Sequence, residues 1–146
     1  MSESVTQDHL QTRERCLEEH IRAENRHDLD AIMSTFAADG VLVFNGRSLA
    51  GQETIRGLHE GLGFGEQGGF SDLRVEEMHR YASEEAITLE QVVTGRHTGE
   101  WQGIAATGRN IELAICTVYK FDEAGKLSRE SVYFDTGGLL KQLGVL

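Results

Sequence analysis

The chain has 146 residues, of which 39% are apolar and 26% charged, and its formal net charge is −10. This length predicts one domain over residues 1–146, and the acidic balance argues against a nucleic-acid or anionic-membrane partner. No apolar run approaches the roughly 20 residues of a membrane span, and the N-terminus lacks the basic and apolar regions of a signal peptide. Cys16 and Cys116 form no metal-ligand pair, so we expect a reduced, cytoplasmic protein.

Two amphipathic helices are predicted at the start of the chain. The first covers about residues 6–26, and its apolar stripe also carries His20 and Glu24. The second covers about residues 28–37, with Asp28 as the N-cap candidate and a glycine shortly after its end. A short apolar strand over residues 41–44 follows.

A third helix is predicted over residues 51–62, with His59 on its apolar face. The glycine-rich segment that follows, GLGFGEQGGFSD, favours a mobile flap with Phe64 and Phe70 as lids over the mouth of a pocket. Residues 63–68 fit the pattern GxGxxG, but they follow a helix and precede no other. A dinucleotide-binding loop needs a strand before it and a helix after it, so none is predicted.

The strongest pattern lies between Glu85 and Asp135, where apolar and polar residues alternate along three long strands. Reversals fall at residues 107–110 and 122–126, and Gly125 suits the positive φ of a tight turn. A further strand is predicted over residues 73–81, and the C-terminal tail has room for one apolar turn. A curved antiparallel sheet of this kind must bury one face, and the N-terminal helices are its cover.

This order of elements resembles the SnoaL-like polyketide cyclase branch of the nuclear transport factor two-like superfamily. The strings that carry the resemblance are NRHDLD at residues 25–30, GQETIR at 51–56, GRHTG at 95–99, TGR at 107–109, DEAGK at 122–126, and Asp135 with LKQLG at 140–144. The resemblance implies an α+β domain in which a cone-shaped, curved antiparallel or mixed sheet wraps around three N-terminal-side helices and encloses an apolar pocket. It also implies a homodimer. Activities in the superfamily range from aldol-type cyclisation to isomerisation, dehydration and epoxide hydrolysis, and many relatives only bind ligands.

The catalytic residues of the family are not found at the matching positions of this chain. Those of the cyclases match Thr117 and Val132, and the aspartate of the ketosteroid isomerases matches Phe44. The isomerase tyrosines on the first and third helices match His20 and His59. An enzyme of this fold would therefore use a different set of residues here.

The resemblance also implies which face of each strand lies towards the pocket. On the last two strands this face carries Leu113, Ile115, Thr117, Glu130, Val132 and Phe134. On the strand before them it carries Thr88, Glu90, Val92 and Thr94. Tyr119 and Tyr133 are expected to face away. The opposite face, with Leu89, Gln91 and Val93, is equally able to line a pocket, and a slip of one residue would invert every side chain.

Glu130, Glu90, His20 and His59 are the catalytic candidates. A carboxylate in an apolar pocket has a raised pKa, and two of them could divide the acid and base roles; the alternative is a solvated charge on the outer face. Each histidine could act as a base or polarise a carbonyl, or could be a satisfied core residue. Two histidines and one glutamate could hold a metal. None is expected, because residue 63 is glycine where the zinc motif HExxH requires histidine.

The expected ligand contacts are Phe44, Thr117, Val132, Phe134, His97, Trp101 and Asp135. His97 and Asp135 have structural alternatives, as a strand corner and as a cap before the tail. Together these residues favour a small cofactor-independent enzyme that transfers protons on a hydrophobic, carbonyl-bearing natural product or steroid-like substrate, as a cyclase, isomerase or hydratase/dehydratase. The alternative is a non-catalytic module of the same fold that binds a small hydrophobic ligand or dimerises.

Overall fold

The computed structural model describes the backbone of residues 3–146 and the side chains from residue 7 onward. Within that part of the chain the helices are α1 (Glu3–Asn25), α2 (Leu29–Ser34), α3 (Gln52–Leu62) and α4 (Thr136–Gln142). The strands are β1 (Phe36–Phe44), β2 (Arg47–Ala50), β3 (Phe70–Ala82), β4 (Ala86–His97), β5 (Asn110–Phe121) and β6 (Leu127–Phe134). Within these described residues, none of the helices combines the length and the hydropathy that a membrane-spanning segment requires.

All six strands form one curved, unclosed mixed sheet in the order β2-β1-β6-β5-β4-β3. Every neighbouring pair is antiparallel except β1 and β6, which run parallel. The predicted α+β architecture with a curved mixed sheet is therefore confirmed. The parallel pair brings the first strand of the chain beside the last, so residues far apart in sequence share the centre of the sheet.

The early elements differ in extent from the prediction. Helix α2 ends at Ser34 and is capped at its start by Asp28, whose carboxylate accepts a hydrogen bond from the Ala31 N–H group at 3.1 Å. Phe36, predicted to be helical, instead begins β1, where it pairs with Leu127 of β6. The β1–β6 register shifts between Phe36 and Val41, so the first half of β1 does not follow a regular alternation.

Pairing between β4 and β5 decides which face of β4 is buried. Thr117 lies opposite Leu89, and Ile115 lies opposite Gln91. Residues directly opposite each other in an antiparallel pair share a face, so Leu89 and Gln91 lie on the inner face together with Thr117. Glu90 is on the outer face and exposed. The prediction that Glu90 and its alternating neighbours line the pocket is therefore wrong, and the alternative face is the correct one.

The core lies between the inner face of the sheet and helices α1 to α3. Its fully buried apolar side chains come from both layers: Leu17, Ile32 and Ile55 from the helices, and Ile87, Leu89 and Leu127 from the strands. Several polar side chains are equally buried in the same region, among them His20, His59, Gln91 and Glu130. Ionisable groups are rarely buried this completely unless they are paired, so their partners matter.

The glycine-rich segment packs against the end of the sheet. Phe64 is 6% exposed and Phe70 is 4% exposed, so both rings belong to the interior, where they line the cavity. The mobility of the flap stays a prediction. Gly63 has a φ of +123°, and a Cβ at this position would overlap the carbonyl oxygen of Phe70. Glycine is needed here both for the backbone conformation and for the close approach of the two chain segments.

Candidate active site

A cavity of about 90 Å³ lies between the inner face of the sheet and the helices. Most of its wall is apolar, with aromatic rings from Phe44, Phe64, Phe70, Trp101 and Phe134. The polar residues in the wall are Glu24, His59, Gln91, Thr117, Tyr119 and Glu130. A bound molecule would therefore meet an apolar surface and a single group of polar side chains, as is usual for small-molecule sites.

His20 connects two of these polar residues from behind the wall. Helix α1 places His20 and Glu24 one turn apart, and β6 brings Glu130 to the same point. The Nε2 atom of His20 lies 2.8 Å from Oε1 of Glu130 and 3.6 Å from Oε2 of Glu24. One imidazole thus faces two carboxylates inside the core.

The hydrogen bonds on its other side fix the proton on His20 Nδ1. The hydroxyl group of Thr35 donates to the carbonyl oxygen of Ile32 at 2.6 Å, so it can only accept from His20 Nδ1, which lies 2.8 Å away. Nε2 therefore holds either a second proton or a lone pair. A lone pair 2.8 Å from an ionised carboxylate would be repelled, so one proton must lie between His20 and Glu130.

Electrostatics place that proton on the imidazole. Burial alone would lower the pKa of His20, but the negative charges of Glu24 and Glu130 outweigh it and raise the pKa to about 9. Burial alone would raise the pKa of Glu130, but the charge of His20, its direct contact and the nearby His59 lower it overall. At neutral pH the pair is an imidazolium and a carboxylate.

Glu24 behaves differently because it lies farther from the imidazolium. Burial raises its pKa to about 7, and the negative charge of Glu130 acts in the same direction against the positive charge of His20. Its side chain is 9% exposed. Glu24 can therefore take up or release a proton near neutral pH, which is the property required of a general acid or base.

His59 is a neutral imidazole in the cavity wall. Its Nδ1–H group donates to the carbonyl oxygen of Ile55 at 2.9 Å, which leaves an unprotonated Nε2 3.9 Å from Oε2 of Glu24. Burial lowers the pKa of His59, and the positive charge of His20 adds to this effect although Glu130 opposes it. His59 thus presents a hydrogen-bond acceptor beside the carboxyl group of Glu24, whose pKa is about 7.

Three donor atoms of this cluster are close enough to reach one cation. The ligand atoms of His20, His59 and Glu130 lie within 4.8 Å of one another. A metal ion there would have to displace the proton that lies between His20 and Glu130. The expectation of a metal-free site remains a prediction.

The structure brings together three of the four predicted catalytic residues: Glu130, His20 and His59. Glu90, on the outer face, is apart from them. Among the predicted ligand contacts, the following line the cavity: Phe44, Thr117, Val132, Phe134 and Trp101.

His97 and Asp135 lie outside the cavity wall. His97 is buried against the ring of Phe70, and its Nδ1 accepts the N–H group of Thr107 at 3.2 Å. Asp135 is exposed and caps α4 by accepting the Gly138 N–H group at 3.0 Å. These positions agree with the structural alternatives considered for both residues.

Sequence reasoning missed three residues of the site: Glu24, Gln91 and Tyr119. Glu24 was visible on the apolar stripe of the first helix, four residues after His20. Gln91 was visible on the alternative face of β4. Tyr119 was expected to face away, but it is 2% exposed and lines the cavity. It lies two residues after Thr117 on the same strand, and residues two apart share a face.

Comparison with known proteins gives a consistent result. The SnoaL-like polyketide cyclase family model matches residues 14–143. AclR, a candidate hydroxylase from Streptomyces galilaeus, is similar at 27% identity and a TM-score of 0.77, over 92% of this chain and 96% of that one. No curated protein matches the chain.

Two further structures are similar in fold at 15% sequence identity. A candidate SnoaL-like polyketide cyclase from Jannaschia sp. CCS1 has a TM-score of 0.78, over 100% of this chain and 98% of that one. SalBIII, an epoxide hydrolase/cyclase-like enzyme, has a TM-score of 0.72, over 88% and 94%. At this level of identity the likeness extends to the fold.

Proposed function

The chain belongs to the SnoaL-like polyketide cyclase family, and we propose that it is a cofactor-independent enzyme that transfers protons on a small, hydrophobic, carbonyl-bearing compound. The reaction would be a cyclisation, an isomerisation or a hydration/dehydration. One observation carries the proposal: two buried carboxyl groups with different proton affinities meet at the wall of an apolar cavity.

Glu130 and Glu24 divide the two roles. Glu130 stays ionised beside His20, so it is the base that removes a proton next to the carbonyl group of the substrate. Glu24, with a pKa of about 7, is the acid that returns a proton. A pair of titratable groups whose environments separate their pKa values is the usual arrangement for acid and base catalysis.

The two histidines support these carboxyl groups. His20 does not line the cavity, so it acts as a positioning residue that keeps Glu130 ionised. His59 does line the cavity, and its Nε2 atom is an acceptor that a small side-chain rotation brings into hydrogen-bond range of Glu24. The apolar wall excludes water and so strengthens each of these electrostatic interactions.

Exchange of acidic protons tests the proposal without knowledge of the natural substrate. A panel of cyclic ketones and β-keto esters is incubated in deuterium oxide, and loss of the proton next to the carbonyl is followed by NMR. We expect the protein to accelerate exchange for at least one member, and Glu130→Gln to reduce that acceleration by roughly 10²- to 10⁴-fold. Glu24→Gln should slow proton return in the same assay.

Glu112→Gln is the matched control, because Glu112 is an exposed glutamate on the outer face of β5. It should leave the exchange rate unchanged. Thermal unfolding of each variant checks that the fold is retained. Exchange at the buffer rate across the whole panel, or an unaltered rate in Glu130→Gln, would contradict the proposed reaction.

A non-catalytic binding module is the second candidate. It is favoured by Phe44, Thr117 and Val132, which occupy the positions that match catalytic residues in the family. Such a module would bind members of the same panel without accelerating exchange, so the assay separates the two candidates.

The homodimer also belongs to this proposal. Tyr81 is 56% exposed and Tyr133 is 46% exposed, and both lie on the outer face of the sheet. Large exposed aromatic side chains on one face favour contact with a second copy. Light scattering during size-exclusion chromatography should give twice the chain mass, and Tyr133→Lys should reduce the measured mass.

We further propose a cytoplasmic location, which suits the two free cysteines.

A further inference from the structure

A chain of three buried side chains crosses from β4 to β5 in the cavity wall. The hydroxyl group of Thr117 donates to Oε1 of Gln91 at 2.9 Å. The amide nitrogen of Gln91 in turn donates to the phenol oxygen of Tyr119 at 3.3 Å. Gln91, Thr117 and Tyr119 are each at most 2% exposed. None of the three is required by the acid–base steps described above.

In this series of hydrogen bonds the hydroxyl hydrogen of Tyr119 is not used. Because the phenol oxygen of Tyr119 is the acceptor for Gln91, its own hydrogen atom has no hydrogen-bond acceptor among the described residues. A buried tyrosine hydroxyl normally finds a partner, since an unmet donor loses its hydration without compensation. Tyr119 lines the cavity, so a bound molecule can supply the missing acceptor.

Tyr119 is also adjacent to the proposed base. In the β5–β6 ladder it lies directly opposite Glu130, and residues opposite each other share a face. Both side chains line the cavity, so a ligand oxygen held by Tyr119 lies in the same cavity as the carboxylate.

We propose that the Tyr119 hydroxyl group binds the carbonyl oxygen of the ligand, and that Gln91 and Thr117 are positioning residues that fix the phenol. The inference rests on the proposed function and adds to it the group that orients the substrate. It also narrows the substrate class to compounds with one carbonyl oxygen at the end of a compact apolar body. As the adjacent proton leaves, charge grows on that oxygen and the hydrogen bond from Tyr119 strengthens.

The phenol is suited to this role because it stays neutral. Burial raises its pKa well above the usual value, and the negative charges of Glu130 and Glu24 act in the same direction. The hydrogen bond from Gln91 and the nearby hydroxyl group of Thr117 oppose this shift only in part. Tyr119 is therefore a hydrogen-bond donor rather than a competing base throughout the neutral range.

Binding of indanone labelled with carbon-13 at its carbonyl tests the inference. A hydrogen bond to the carbonyl oxygen moves the carbon-13 resonance downfield, so the spectrum reports the contact itself. We expect the wild-type protein to bind the ketone with such a shift. Tyr119→Phe should abolish the shift and weaken binding by roughly tenfold, which is equivalent to about 1.4 kcal/mol.

Two further variants separate positioning from packing. Gln91→Leu should reduce the downfield shift while leaving the fold intact, and Thr117→Val should do so to a smaller extent. Tyr133→Phe is the matched control, since Tyr133 is an exposed tyrosine on the outer face, and it should leave both shift and affinity unchanged.

The outcomes distinguish this inference from the proposed function. An unshifted carbonyl resonance in the wild-type complex, failure of the wild-type protein to bind the ketone, or equal binding and shift in Tyr119→Phe would overturn the role of Tyr119. If Tyr119→Phe loses the shift but no ketone undergoes exchange, the binding role of Tyr119 stands and the proposed reaction fails.

Discussion

Replacing His20 with glutamine tests whether the buried imidazole is charged in the folded protein. The pKa of this group rises from 6.5 to about 9 on folding because two carboxylates face it. A raised histidine pKa means that the folded state holds the proton more tightly than the unfolded state. The resulting stabilisation is complete below pH 6.5 and is lost as the pH rises through about 9.

The size of the effect follows from the shift. Each pKa unit corresponds to about 1.4 kcal/mol, so the free energy of unfolding should fall by roughly 3 kcal/mol over this range. That is a large share of the roughly 5–15 kcal/mol that stabilises a domain of this kind. Glu24 contributes with the same sign in a lower window, since its raised pKa removes stability between 4.5 and about 7. The interval from pH 7 to 9 therefore isolates His20.

Urea unfolding at intervals across pH 7 to 9 measures the effect. The wild-type free energy of unfolding should decline steeply between pH 7 and 9. The decline should be smaller in His20→Gln, and what remains comes from Glu24, because loss of the imidazolium raises the pKa of that carboxyl group. His79→Gln is the matched control, because His79 is exposed on β3 and should reproduce the wild-type slope. A flat wild-type profile, or the same slope in His20→Gln, would refute the imidazolium and place the shared proton on a carboxyl group instead.

Two backbone positions and one cap give further predictions. Gly63→Ala should destabilise the protein by at least about 2 kcal/mol in urea unfolding, because the φ of Gly63 is +123° and the added methyl group would overlap Phe70. Gly57→Ala, on the open side of α3, should instead stabilise the protein by roughly 0.5–1 kcal/mol. Equal effects of the two substitutions would contradict this packing. Asp135→Ala should cost about 1 kcal/mol in the same assay and Asp135→Asn much less, while ketone binding stays unchanged in both. A loss of binding in Asp135→Ala without a loss of stability would instead indicate a residue at the rim of the cavity.

The features that could be predicted from sequence are those with a local cause. Strands β4, β5 and β6 were visible because their alternation is regular and Gly108 and Gly125 mark the reversals with positive φ. The start of α2 was visible because Asp28 caps its own helix. Strand β2 was missed because it has only four residues and one buried side chain.

The inner face of β4 could not be read from its own residues, because apolar side chains occur on both faces. Only the register with β5 places Gln91 inside and Glu90 outside. The role of Glu24 could not be predicted for a similar reason, because it also depends on contacts between distant segments. Its spacing from His20 was visible, but its pKa depends on burial under the sheet and on the charges of both His20 and Glu130. Glu130 joins the cluster on β6, the strand that pairs in parallel with β1. Electrostatic contacts between distant segments leave no periodic signal in a single sequence.

That parallel pairing also governs how the protein can assemble during synthesis. Strand β6 lies between β1 and β5, so a nascent chain emerging from the ribosome has two separate sheet fragments until residue 134 is available. Unpaired strand edges of this kind favour misassociation, and chaperones commonly shield them. Glu130 lies on the same strand, so its contact with His20 also waits for β6. Closure of the sheet and assembly of the reactive charges are consequently a single late event in folding.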